Sequence, residues 1–108
     1  MPKMKVKIKE KSWCARLAAR KMKCSTVAMV LGKTIHLWNI SREDFLKRPT
    51  WVIHELEHVR QFEQYGFLPF CALYLWESIR RGYYNNHFEV EARKAETSAL
   101  KSEEVAFL

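Results

Sequence analysis

A proline at position 49 and a glycine at position 66 delimit the segment that most constrains how this chain can fold. Proline fits the first turn of an α-helix, and glycine is common immediately after the last turn. Between them, Ile53, Leu56 and Val59 follow helical spacing. The segment therefore predicts one long helix over about residues 50–65.

The amino terminus predicts a strand followed by a helix. Residues 3–9 alternate apolar side chains with lysines, which is the period of a half-buried strand. Ser12 suits the N-cap of a helix. We expect this helix to bury an apolar stripe. The stripe consists of Trp13, Leu17, Cys14 and Ala18.

Further elements follow from turn and capping residues. Residues 25–39 predict a β-hairpin, with Gly32 as the first residue of a type II′ turn. Ser41 suits the N-cap of a short helix. A third helix is expected between Pro69 and Gly82, and a fourth from Asn86. The fold class predicted is α+β, mainly helical, with a small antiparallel sheet packed on the helix at 50–65.

Composition is that of one folded domain over residues 1–108, with 48% hydrophobic and 29% charged residues. Residues 1–23 hold nine Lys or Arg and one Glu, a balance of +8, so the rest contributes −1 to the net charge of +7. The three cysteines form no CxxC pair and are expected to be reduced thiols. Because we find neither a signal peptide nor a transmembrane segment, we expect a cytoplasmic location.

The predicted helix at 50–65 contains the sequence His-Glu-x-x-His, formed by His54, Glu55 and His58. Residues i and i+4 lie one turn apart on the same helix face, so both imidazoles can bind one metal ion. Zinc held this way with an open position lowers the pKa of a bound water to about 7. Glu55 lies beside that face and is the candidate general base.

A third ligand has to come from elsewhere, because Gln61 and Gln64 do not extend the motif with a third histidine. The candidates are Glu89, Glu91 and His87, and less plausibly His36 or Asp44. Both glutamates also have ordinary roles available. Glu89 fits a capping box with Asn86, and both glutamates fit ion pairs along their helix, with Arg93 and Lys94. Helical periodicity does not choose between the glutamates.

The sequence HELEH followed by NNHFEVEARKAE resembles the gluzincins, which are HExxH zinc metallopeptidases with a glutamate ligand on a later helix. Glu89-Val90-Glu91-Ala92 matches the E-x-x-A and E-x-E-A forms of that pattern. The resemblance implies a zincin-like fold, a Zn²⁺ cofactor, Glu89 as third ligand and Glu91 as the alternative. Arg93 departs from the pattern, because several of these families have Asp there.

These features predict a zinc-dependent hydrolase, most readily a metallopeptidase acting on a peptide or protein substrate. Tyr83 and Tyr84 are candidates for stabilising an oxyanion, although such tyrosines more often serve packing. Gln61 is expected to be polar surface or to orient a ligand. The alternative is a non-catalytic zincin-like or basic binding module that contacts nucleic acid, a membrane surface or a protein partner. No clear nucleic-acid-binding motif accompanies the basic segment.

Overall fold

The structure is a computed structural model that describes residues 4–96 and 105–107. In chain order, its helices and strands are β1 (Met4–Lys9), α1 (Trp13–Met22), β2 (Val27–Leu31), β3 (Thr34–Trp38), α2 (Arg42–Leu46), α3 (Pro49–Tyr65), α4 (Phe67–Asn85), α5 (His87–Ala95) and β4 (Val105–Phe107). The α+β class and the mainly helical character are confirmed.

The sheet is mixed, so the prediction of an antiparallel sheet is wrong. Its strands lie in the order β2-β3-β1-β4. Within the described part of the chain, only β2 and β3 pair antiparallel, while β1 runs parallel to both β3 and β4. Residues 10–33 connect β1 to β3 and include α1. This connection is long enough for the crossover that parallel neighbouring strands require. Strand β4 was not predicted.

The β2–β3 hairpin is confirmed. Gly32 has a φ of 66°, as the first position of a type II′ turn requires. The hairpin packs on α3, as predicted. The shared core contains buried residues of the sheet, α2, α3, α4 and α5. They are Val6, Val30, Ile35, Leu37, Phe45, Val52, Leu56, Val59, Phe62, Phe70 and Phe88.

Helix α1 buries a different face from the one predicted. Ser12 is its N-cap, but Trp13 and Leu17 are 65% and 53% exposed. Ala15 and Ala19 are buried instead, against the hairpin. Small side chains let the helix backbone approach the sheet closely, and this leaves the larger apolar residues on the outer face.

The helices after position 40 begin and end near the predicted residues. Ser41 caps α2, Pro49 is in the first turn of α3, and the backbone N–H of Gly66 donates to the Phe62 carbonyl after the last turn of α3. Helix α4 starts at Phe67 rather than after Pro69, and it is interrupted at Gly82, whose φ is 78°. The interruption lets the chain turn towards α5.

Asn86 fixes this turn and is fully buried. Its side-chain oxygen accepts a hydrogen bond from the Phe88 N–H, which caps α5. Its amide group donates to the Tyr74 carbonyl and to Ser78 Oγ at 3.0 and 2.9 Å. Asn86 therefore ties the first turns of α5 to α4.

Cys14, Cys24 and Cys71 are free thiols. Within residues 4–96 and 105–107, no helix combines the length and the apolar character that crossing a bilayer requires.

Candidate metal centre

Helix α3 and helix α5 bring together the two histidines of the motif and one glutamate. Glu89 Oε1 lies 3.0 Å from His54 Nε2 and 3.2 Å from His58 Nε2. One potential ligand atom from each residue lies within 4.8 Å of the others. His58 and Glu89 are buried, and the His54 side chain is 16% exposed. The group offers a metal ion two imidazole nitrogens and one carboxylate oxygen.

Gln61 holds His58 in one orientation. The Gln61 amide nitrogen donates to the Phe88 carbonyl at 3.1 Å and faces Glu91 Oε1 at 3.4 Å. Because a carbonyl only accepts hydrogen bonds, the Gln61 oxygen must point towards His58, where it lies 2.9 Å from Nδ1. His58 Nδ1 is therefore the donor, and in the neutral ring Nε2 keeps its lone pair for a metal ion.

The other two candidate ligands also have partners on their outer sides. Tyr74 OH donates to Glu89 Oε2, so that Oε1 is the oxygen directed at the histidines. Glu96 Oε2 lies 3.6 Å from His54 Nδ1, the ring nitrogen that faces away from Glu89. Carboxylates and amides in such positions orient metal-binding histidines and raise their basicity. His58 and Glu89 are thus held by hydrogen bonds, and His54 has a carboxylate nearby on its outer side.

The charges in this cluster are strongly coupled. Burial by itself raises the pKa of Glu89, but hydrogen bonds from His54 and His58 outweigh it and lower that pKa. Burial likewise lowers the pKa of His58, but the hydrogen bond and the negative charge of Glu89 raise it to about 9. Without a metal, Glu89 is ionised and attracts a proton to His58. A divalent cation between the ligands would replace that proton.

Glu55 lies next to the ligands without being one of them. It is 5% exposed and lines the same cleft as His54 and His58. Burial raises its pKa to about 7, against the opposing effect of the two histidines. The Trp51 side chain donates a hydrogen bond to it. Glu55 is therefore placed to exchange protons with a group bound in the cleft.

The cleft has a volume of about 1130 Å³ and is lined by residues of α1, β2, α3 and α4, together with Glu89 and Glu96. All five residues of β2 line the cleft. Successive side chains of a strand point to opposite faces, so a cleft on one face alone would be lined by every second residue. The cleft therefore follows the edge of the strand. Among the described strands, β2 pairs only with β3, so this edge keeps backbone N–H and C=O groups for another chain.

The remaining predicted candidates lie outside the three-residue group. Glu91 contacts Gln61 and His87, and His87 is exposed. His36, in β3, is half-buried, and its Nδ1 lies 2.8 Å from Oγ of Ser12, the N-cap residue of α1. Asp44 is exposed in α2.

The two candidate tyrosines differ in position. Tyr83 is half exposed and lines the cleft, where burial and the negative charge of Glu89 raise its pKa. Tyr84 is 69% exposed and its ring packs against the Arg93 guanidinium. Only Tyr83 is near the candidate metal centre.

Tyr74 and Glu96 were not predicted from the sequence, and Gln61 was expected mainly at the surface. Tyr74 lies within the apolar run of α4, and its sequence context predicts a packing residue. Its spacing from Glu89 gives no signal, because the contact depends on how α4 packs against α5. The position of Gln61 three residues after His58 was the one usable signal.

Comparison of the chain with protein-family models, with curated proteins and with solved structures gave no match.

Proposed function

We propose that this protein is a zinc-dependent hydrolase, most readily a metallopeptidase of the gluzincin type. One observation carries the proposal: three potential ligand atoms of His54, His58 and Glu89 lie within 4.8 Å of one another, and His58 and Glu89 each have a hydrogen-bond partner on the outer side. A buried ion pair would not need two histidines directed at one carboxylate oxygen. The donor set of two imidazoles and one carboxylate matches that of hydrolytic zinc sites.

The residues divide into ligands and a proton carrier. His54, His58 and Glu89 would hold the zinc. When bound, zinc polarises a carbonyl oxygen and makes a water molecule acidic near pH 7. Glu55 lines the cleft beside the ligands and would take a proton from the attacking water and give it to the leaving amine. Tyr83 is the tyrosine positioned to donate a hydrogen bond to a developing oxyanion.

The edge of β2 supports a peptide as the substrate. An extended peptide can add to a free strand edge through main-chain hydrogen bonds, while side-chain pockets give specificity. The cleft that follows β2 is lined largely by apolar residues of the hairpin, α3 and α4. A peptide bound along β2 would pass over the face of α3 that carries Glu55.

Zinc binding is the first test. We expect the protein, purified without an affinity tag, to hold about one zinc ion per chain. His58→Ala should lose it, and His87→Ala should keep it because His87 is exposed and lies outside the group. Elemental analysis after dialysis measures both. Full zinc retention in a folded His58→Ala protein would contradict the assignment.

Catalysis requires a second test, because a zinc ion can also be structural. Zinc-loaded wild type and Glu55→Gln are incubated with a diverse peptide library, and products are followed by mass spectrometry. We expect Glu55→Gln to keep zinc and to cleave about 10²–10⁴-fold more slowly. Glu63→Gln, on the same helix but paired with Lys33 on the surface, should cleave normally.

The outcomes of this test separate the alternatives. Chelator-sensitive cleavage that Glu55→Gln loses supports the metallopeptidase. Equal cleavage by both proteins indicates a contaminating peptidase. Zinc binding without cleavage of any library peptide would favour the non-catalytic zincin-like module.

A further inference from the structure

Helix α4 exposes an apolar stripe, which we define as Leu68, Ala72, Leu75, Trp76 and Ile79. These residues recur at i, i+4, i+7, i+8 and i+11, so they share one face over about three turns. The four large side chains are 57–75% exposed, and Phe70 is the one residue of α4 that is buried. Large contiguous exposed apolar patches are found where soluble proteins contact another protein or a membrane.

The charge around this stripe is positive. Glu77 is the one acidic residue of α4. Its side chain is 14% exposed and turns inward, where it accepts a hydrogen bond from the His87 N–H. Arg80 and Arg81 follow Ile79 directly and are exposed, and Arg81 Nε also lies 3.5 Å from Glu77 Oε1. The stripe therefore presents apolar side chains, a tryptophan and arginines, without an exposed carboxylate on its own helix.

This charge distribution matches an anionic lipid surface better than a second copy of the chain. A second copy would bring to this stripe the same exposed arginines and no exposed carboxylate of its own α4 to pair with them. A stable dimer also needs about 800 Å² from each partner, a larger patch than five side chains on one helix face supply. A lipid interface accepts the apolar face of a helix lying in its plane, and anionic headgroups attract the neighbouring arginines.

We infer that the α4 stripe docks this protein onto anionic membranes, with Leu75, Trp76 and Ile79 entering the interface and Arg80 contacting headgroups. Phe70 and Tyr74 lie on the opposite side of α4 and face the core and the candidate metal centre. The docked face is thus separate from the ligands. Docking does not depend on zinc or on catalysis.

The test measures binding of the full chain to sedimented vesicles. One set is made of phosphatidylcholine alone, and the other of phosphatidylcholine mixed with phosphatidylglycerol. Wild type should bind the mixed vesicles, and bind less as the salt concentration rises. Leu75→Gln/Ile79→Gln should lower the partition coefficient at least about tenfold, because two large apolar side chains no longer enter the interface. Ile79→Gln alone should give a smaller loss.

Leu17→Gln is the matched control, because Leu17 is similarly exposed on a different helix. We expect it to bind as wild type does, and circular dichroism should show that every variant is folded. Equal losses in Leu17→Gln and in the α4 variant would overturn the assignment to α4. Absence of binding to the mixed vesicles would overturn the proposal. So would a wild-type dimer that the α4 variant converts to monomers, since the stripe would then bind a second copy.

Discussion

Gln61→Leu tests whether the candidate centre is built for a metal ion. Gln61 is 1% exposed, and leucine has a similar size, so the substitution mainly removes hydrogen bonds. His58 Nδ1 and the Phe88 carbonyl oxygen, both buried, would each lose their hydrogen bond to Gln61. Each such loss costs about 1–3 kcal/mol, so we expect the free energy of unfolding to fall by about 2–4 kcal/mol, since leucine regains some apolar burial.

The effect on zinc should exceed what this loss of stability explains. Without the Gln61 oxygen, His58 can rotate and change its tautomer, and loss of such a partner typically weakens metal affinity about 10–100-fold. Titration against a chelating dye measures the affinity, and thermal denaturation measures the stability. Gln64→Leu is the control, because Gln64 is exposed on the same helix. Undiminished zinc affinity in folded Gln61→Leu would refute the reasoning.

Three further predictions concern the ligands. Glu89→Gln should weaken zinc binding at least about tenfold, whereas Glu91→Gln should change it little, and the reverse ranking would show that Glu91 is the ligand. Tyr74→Phe should lower zinc affinity and reduce stability by about 1 kcal/mol, because Glu89 Oε2 loses its donor. The third is that metal-free protein should become less stable as pH rises from about 6.5 to 9. The pKa of His58 is raised from 6.5 to about 9, so the folded protein keeps a proton there that the unfolded chain has released. Denaturant titrations across this range measure the slope, and a flat or rising stability would contradict it.

Local signals predicted the elements that carry the site. Pro49 and Gly66 delimit α3, and Ser12, Ser41 and Asn86 cap their helices through their own side chains. These features depend on neighbouring residues in the chain. The spacing of His54 and His58 is local in the same sense, because one helix turn separates them.

The features that were mispredicted depend on contacts between distant segments. The parallel pairing of β1 with β3 depends on where α1 leads the chain, and residues 3–9 have the same alternation in either direction. The side of α1 that is buried depends on how closely the helix approaches the sheet. A close approach leaves room for the Ala15 side chain but not for that of Trp13. Tyr74 meets Glu89 only because the chain turns at Gly82.

Because few side chains of α4 are buried, we expect this helix to detach locally more often than the whole protein unfolds. Phe70 is the one buried residue of α4, with Cys71 and Tyr74 partly buried beside it, so this helix has less apolar contact to lose on detaching than α3 has. Its backbone amides should therefore exchange with solvent deuterium through a local opening that costs less free energy than global unfolding. Tyr74 leaves Glu89 in that opening, so the same fluctuation would loosen one ligand while α3 still presents both histidines.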